Sequence, residues 1–276
     1  MAIYLLVIIL IAIIFFLRKN IPAYVPILMY HRIAEVPNDR NSLPPEKFAW
    51  QLNYLHEHGF HTITPAMLYA FYTQGTALPH KPILLTFDDG YTDNYTVALP
   101  LLKKYNMTSV VFPISEWVGK KNHWENFGKQ ETTTMDWQVL ESWLQAGQTI
   151  ASHTQNHPFL HVCKQPQLQE ELCGSKKSLE SKLKINTDFL CYPYGKFNQA
   201  VVHAAKKAGY KAAFAIFENV NLRKIDLFAL PRIPIPDHQS KWEFRLKVSC
   251  LFIVFIALRK WEREFKQYRK KYFQHK

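Results

Sequence analysis

Residues 82–95 read PILLTFDDGYTDNY. Ile83 to Phe87 has the composition of a buried strand, and it carries the chain straight into two adjacent carboxylates, Asp88 and Asp89, followed by Gly90. Asp-Gly alone is turn punctuation. Two carboxylates held together where a buried strand ends are another matter, because they repel, one pKa is pushed up, and a cation relieves the conflict. The stretch therefore predicts a strand that ends in a cation site, with the remaining ligands elsewhere in the chain.

Working outward, apolar strand-like runs fall near Ile27 to Tyr30, Thr62 to Thr64, Ile83 to Phe87, Ser109 to Pro113, Thr149 to Ser152, Phe189 to Tyr192, Ala212 to Ile216 and Ala229 to Ile233. Segments of helical period lie between most of them: PEKFAWQLNYLHEHG, TDNYTVALPLLKKYN, DWQVLESWLQAG, PQLQEELCGSKKSLESKLK and NQAVVHAAKKAGY. Several end in Gly or Asn, and Asp136 stands where an N-cap belongs. Repeated strand-helix alternation predicts an α/β fold with a parallel sheet, and seven or eight units predict closure into a (β/α) barrel. Chemistry in such barrels sits at the C-terminal strand ends, where Asp88 and Asp89 fall. The long connection from Ser115 to Met135, with Trp117 and Trp124, is a candidate substrate wall, and Trp137 adds to the nearby aromatics.

The strand at TIAS runs into HTQNHP, which places His153 and His157 four residues apart with Pro158 directly after. At that spacing both imidazoles lie on one face of a helical turn and can reach one cation, while Pro158 stops the turn from continuing. Two histidines and a carboxylate, with positions left open for water and substrate, form a recurring catalytic set for a divalent metal.

TFDDG, SHTQNHP and YPYG at residues 192–195, in this order on successive strand ends, resemble the polysaccharide deacetylase family, also called carbohydrate esterase family four or the NodB-like domain. The resemblance covers roughly residues 24–236. It implies a distorted (β/α) barrel that removes acetyl groups from sugars, most often N-acetylglucosamine units, with a divalent metal; the metal expected at the site is zinc. It implies Asp89, His153 and His157 as metal ligands, Asp88 as catalytic base, and the backbone N–H of Tyr194 as donor to the oxyanion. The general acid is implied to be His31, because PILMYHRI at residues 26–33 precedes TFDDG, as in the circularly permuted branch of the family. Two departures stand out. Cys191 occupies the place of an arginine that orients the base, and Arg232 in LPRIPI is the candidate replacement; the acid's usual Asp partner has only Asp226 and Asp237 as candidates, without a motif.

Of the 276 residues 48% are hydrophobic and 14% aromatic, which permits a sizeable core and excludes a disordered chain. Four cysteines without C-x-x-C spacing argue against a disulfide scaffold. The formal charge is +12, and residues 259–276, RKWEREFKQYRKKYFQHK, hold eight Lys or Arg against two Glu, so the tail supplies half of it. Ala2 to Leu17 is an unbroken apolar run that as a helix reaches roughly 24 Å, a short membrane span. The expected organisation is a membrane anchor over residues 1–20, a catalytic domain over 21–240 and a basic, aromatic-rich helical tail over 241–276. Within the tail, VSCLFIVFIAL from Val248 to Leu258 is a buried or an interfacial helix. The expected partners are an N-acetylated glycan and membrane lipid, not nucleic acid. Arg18 and Lys19 after the anchor place the catalytic domain in the cytoplasm, whereas family members that act on surface polymers work outside. The other functions considered are an amidohydrolase for a non-sugar N-acyl compound and a membrane-bound glycan-binding protein without catalysis.

Overall fold

In a computed structural model of the protein, residues 25–122, 132–216 and 225–253 are described, with Tyr4, Phe255, Ile256 and Phe265 besides. Eight strands follow in order: β1 (Ile27–Tyr30), β2 (His61–Thr62), β3 (Pro82–Asp89), β4 (Val110–Pro113), β5 (Thr149–Ile150), β6 (Phe189–Cys191), β7 (Ala212–Ile216) and β8 (Leu230–Pro234). All pair in parallel, in the order β5-β4-β3-β1-β8-β7-β6, with β2 added on β3. The two ends of that order meet at one residue: the Ser152 N–H donates to Phe189 O at 3.0 Å and Ser152 O accepts from the Cys191 N–H at 2.8 Å. A single bridge in place of a ladder makes the barrel distorted.

The helices are α1 (Pro45–Glu57), α2 (Pro65–Gln74), α3 (Leu99–Lys104), α4 (Trp137–Gln145), α5 (Gln165–Leu183), α6 (Gln199–Lys207) and α7 (Lys241–Lys247). Alternation in the strands sorts the core. Leu84, Val110, Phe112, Ala151, Cys191, Phe214 and Leu230 fill the barrel interior, and Leu68 of α2 joins them with Tyr69 and Tyr72 against it. A second cluster, with Leu172, Val201, Ala205, Ala213 and Ala215, lies between α5, α6 and the sheet. Such burial stabilises by about 25 cal/mol per Å² of apolar surface, and it leaves the strand ends as the place where polar groups collect.

Two helical expectations change. α2 was not anticipated, although Thr64 accepts from the Met67 N–H, Pro65 opens the helix and Gly75 closes it. The segment after Thr92 is not one α-helix: Asn94–Ala98 is a π turn, then α3 begins with Pro100 in its first turn. Proline has no N–H to give, and the wider turn accommodates that loss. Residues Val25 to His238 form one compact unit, and the segment from Gln239 falls in a second. There α7 opens with a capping box between Ser240 and Glu243. The apolar run after it begins with a turn at Val248, and Phe252 and Ile253 are buried while Leu251 is exposed. The expected anchor over residues 1–20, Tyr4 apart, and nearly all of the basic stretch 259–276 lie outside the described residues. Among the described residues no helix is long and apolar enough to cross a membrane.

Candidate active site

Strand alternation should send Asp88 and Asp89 to opposite faces of β3. Asp88 follows Leu84 and Thr86 into the barrel mouth. Asp89 has a left-handed backbone, φ 68°, which turns its carboxylate back toward the same mouth. Such a conformation costs a non-glycine residue about 1 kcal/mol or more. Gly90 follows, also left-handed, and a Cβ there would stand 3.0 Å from Pro113 Cβ at the end of β4, so this turn accepts only glycine without displacing the neighbouring strand.

Asp88 is buried and bound by Arg232 of β8 in a two-pronged pair, Nη1 to Oδ1 at 2.5 Å and Nη2 to Oδ2 at 2.8 Å, with Nη1 also donating to Thr86 Oγ1. Burial pushes the Asp88 carboxyl up, but the Arg232 charge outweighs it and holds the group well below the usual carboxylate range. The Cys191 thiol faces Asp88 Oδ1 at 3.6 Å, and burial pushes its pKa up, so it stays a neutral thiol. Cys191 also serves as the barrel-filling residue its size suggests.

The two histidines come from the loop after β5. It is not the helical turn their spacing suggests, because Thr154 and His157 have φ 69° and 61°. The His157 N–H bonds Thr154 Oγ1 at 3.1 Å, and Glu171 of α5 fixes the middle of the loop: Oε2 accepts from the N–H groups of Gln155 and Asn156 at 3.0 and 2.8 Å, and Oε1 from Asn156 Nδ2 at 3.0 Å. His153 Nδ1 lies 2.9 Å from Cys191 O, which only accepts, so Nδ1 carries the proton and Nε2 presents a lone pair. Burial lowers the His153 pKa to about 4 and, with His153 nearby, puts that of His157 well below its ordinary value. Both rings are therefore neutral near pH 7.

These two Nε2 atoms lie 3.2 Å apart, and each is 3.6 Å from Asp89 Oδ1. Ligands at zinc distances in a tetrahedral site are separated by about 3.3 Å. The triangle therefore fits one small divalent cation, with its remaining positions open. A second cluster, Asp88, His153 and Cys191, also has ligand atoms within 4.8 Å of one another, but it contains the protonated thiol and the carboxylate already taken by Arg232.

His31 follows β1 and puts Nε2 3.9 Å from Asp88 Oδ2. Its strand end is tied down by Asn94 Nδ2 on His31 O at 2.7 Å, by the Ile33 N–H on Asp93 Oδ1 and by an Arg32–Asp93 ion pair at 3.0 Å. His31 also lines a cavity of about 350 Å³ with Asn38, Arg40 and Asn41. Tyr194, φ 58°, sits in the turn Pro193–Gly195 with its ring 4.5 Å from that of His157 and stacked on Phe159 at 4.0 Å. Neither candidate partner of the acid is placed on His31: Asp226 caps the Phe228 N–H and Asp237 pairs with His238. Trp117 and Trp137 are half-buried, and Trp124 lies outside the described residues. Glu171, Asp93 and Asn94 were not singled out in the sequence; for the last two the only signal was their place in the opening stretch.

The polysaccharide deacetylase family profile matches residues 75–213. The chain is 33% identical over 235 residues to the Bacillus subtilis protein YxkH, which carries the polysaccharide deacetylase name, covering 85% of this chain and 80% of that protein. It is 24% identical to an Escherichia coli poly-beta-1,6-N-acetyl-D-glucosamine N-deacetylase over 76% of this chain, and spans 35% of that enzyme's length. Among solved structures, a Streptococcus pyogenes deacetylase in complex with acetate superposes with a TM-score of 0.73 at 27% identity, covering 83% of this chain and 99% of that one.

Proposed function

The chain belongs to the polysaccharide deacetylase family and is a glycan N-deacetylase, and from that premise we propose that it hydrolyses the N-acetyl group of an N-acetylglucosamine-type unit with the help of one divalent cation, zinc by the donor set. The observation that carries this is the triangle of Asp89 Oδ1, His153 Nε2 and His157 Nε2, spaced for a single cation directly beside the arginine-bound Asp88. When bound, the cation would acidify a water and polarise the acetyl carbonyl.

The chain's own groups divide the remaining work. Asp88, kept ionised and oriented by Arg232, takes a proton from the attacking water. Its low pKa weakens it as a base, so the pair secures the charge state and direction of the carboxylate at the expense of proton affinity. The Tyr194 N–H serves the oxygen on which negative charge develops. His31, 3.9 Å from Asp88, gives a proton to the departing amine as the C–N bond breaks. The products are acetate and a free amino sugar.

Acetate release from N-acetylglucosamine oligomers, with and without prior chelation, tests the proposal. Release from an acetylated polyamine but from no glycan would replace it with a non-sugar amidohydrolase. The apolar run Ala2 to Leu17 further supports a chain tethered at a membrane, with Arg18 and Lys19 favouring the cytoplasmic side. Labelling of the exposed Cys250 in intact cells by an impermeant thiol reagent would overturn that side.

A further inference from the structure

We propose that the cavity at the ends of β1 and β8 is the subsite for the sugar ring that carries the scissile amide, and that Asn38 and Arg40 select that ring. The inference rests on the function proposed above and adds where the sugar lies. A general acid marks the leaving-group side of a hydrolase, because it must reach the departing nitrogen. His31 is that acid, and it is one of the residues that line the cavity. The amine leaves with the sugar attached, so the ring belongs on the His31 side while the acetyl group lies toward Asp89 and the two ligand histidines.

The lining suits a pyranose, which has apolar faces and a belt of hydroxyls. Four of the lining residues, Met29, Pro234, Ile235 and Pro236, are apolar, and three, Asn38, Arg40 and Asn41, carry planar amide or guanidinium groups. A volume of about 350 Å³ is at the small end of ligand sites and suits one ring better than a long segment of polymer. None of the described residues lining the cavity is acidic, which sets it against a polycationic amine.

The rim is built in advance. Asp39 is 1% exposed and points inward, accepting from Ser42 Oγ at 2.6 Å and from the Asn41 N–H at 3.1 Å, while the Ser42 N–H returns to Asp39 O. Arg32 N–H bonds Asn41 O, and Leu43 N–H bonds Arg32 O, which ties the loop to the end of β1. With residue 39 turned in, 38 and 40 are presented outward, and both are exposed. Little ordering remains to be paid for when a sugar binds.

The test is the double variant Asn38→Gly, Arg40→Ala; glycine keeps the left-handed backbone of residue 38, φ 61°, which alanine would strain. Steady-state rates are measured on an N-acetylglucosamine oligomer and on a small aryl acetate, with a melting curve to confirm folding. Losing two polar contacts should raise KM for the oligomer about tenfold, with kcat held within about twofold. The loss of kcat/KM on the oligomer should exceed that on the aryl acetate by at least about fivefold. Equal losses on both substrates, or an unchanged oligomer KM, would overturn the assignment. If the wild-type chain releases acetate from no glycan, the proposed function fails first, and calorimetric titration of oligomer into chelated protein judges the subsite separately. Binding by the wild type that the double variant loses supports the subsite; no binding, or equal binding, overturns it.

Discussion

Two loops frame the site, one after β5 carrying His153 and His157, the other after β1 carrying Asn38 and Arg40, and besides backbone bonds to neighbouring strand ends each has a buried carboxylate as a brace. They differ in where that carboxylate comes from. Glu171 reaches the first loop from α5, binding backbone N–H groups 15 and 16 residues earlier in the chain. Asp39 belongs to the second loop and bonds its own neighbours. A cation tolerates ligand errors of a few tenths of an ångström, so its loop is referenced to the scaffold. A sugar makes several softer contacts, and a loop whose side-chain brace is its own suffices.

Removing the cation ligands, two of which the first loop carries, should have the largest effect. Asp89→Ala, His153→Ala or His157→Ala should abolish both cation binding and acetate release, whereas Asp88→Asn should retain the cation and lose about 10²–10⁴-fold in turnover. Elemental analysis beside activity separates the two outcomes; a cation retained after loss of both histidines would refute the ligand set.

Next in size is the brace. Glu171→Ala leaves two loop N–H groups without their acceptor, and an outer-shell loss of this kind lowers metal affinity by about 10–100-fold. Competition with a chromophoric chelator reads it. Glu171→Gln should recover most of the affinity, because its amide oxygen can accept both N–H groups and Asn156 can flip to meet its NH₂. A general structural role would instead lower the melting temperature of the chelated protein without a change in chelator competition. Asp39→Ala should act in the opposite sense, raising KM for the oligomer several-fold with cation affinity within about twofold of the wild type. Equal effects of the two substitutions on the cation would erase the distinction between the loops.

Most strands were legible because they are apolar runs between turn signals, β2 being the exception, since it is the partly exposed pair His61–Thr62 and not the run expected at Thr62 to Thr64. Asp88, Asp89, His153 and His157 were legible because their spacing to those runs placed them at strand ends. Periodicity was the weaker guide. PAMLYAFYTQ is too evenly apolar to show a face, so α2 escaped notice even though Thr64, Pro65 and Gly75 mark both its ends. The His153–His157 spacing suggested a helical turn, but two left-handed residues make the imidazoles meet by another path. Arg232 could be seen only as a candidate for a place that Cys191 leaves open, since a pairing between β3 and β8 is invisible until β1 is known to lie between them. Glu171 was beyond reach: in QEELC it is one of two adjacent glutamates on an amphipathic helix, and nothing local says which one turns inward.

The smallest predicted effect sharpens the comparison most. Gly174 lies in α5 opposite the first loop, and a Cβ there would meet the amide oxygen of the Gln155 side chain. Alanine gains about 1 kcal/mol over glycine in a helix interior. Against that stands the displacement of a flexible side-chain tip. If the loop is held through its backbone, as the bonds from Gln155 N–H and Asn156 N–H to Glu171 indicate, then moving the Gln155 amide leaves His157 where it was. Gly174→Ala should therefore raise stability by up to about 1 kcal/mol in denaturant titration and leave chelator competition unchanged. A drop in cation affinity with no loss of stability would show that the Gln155 side chain helps to set the loop, and that its bracing is shared between Glu171 and the surface of α5.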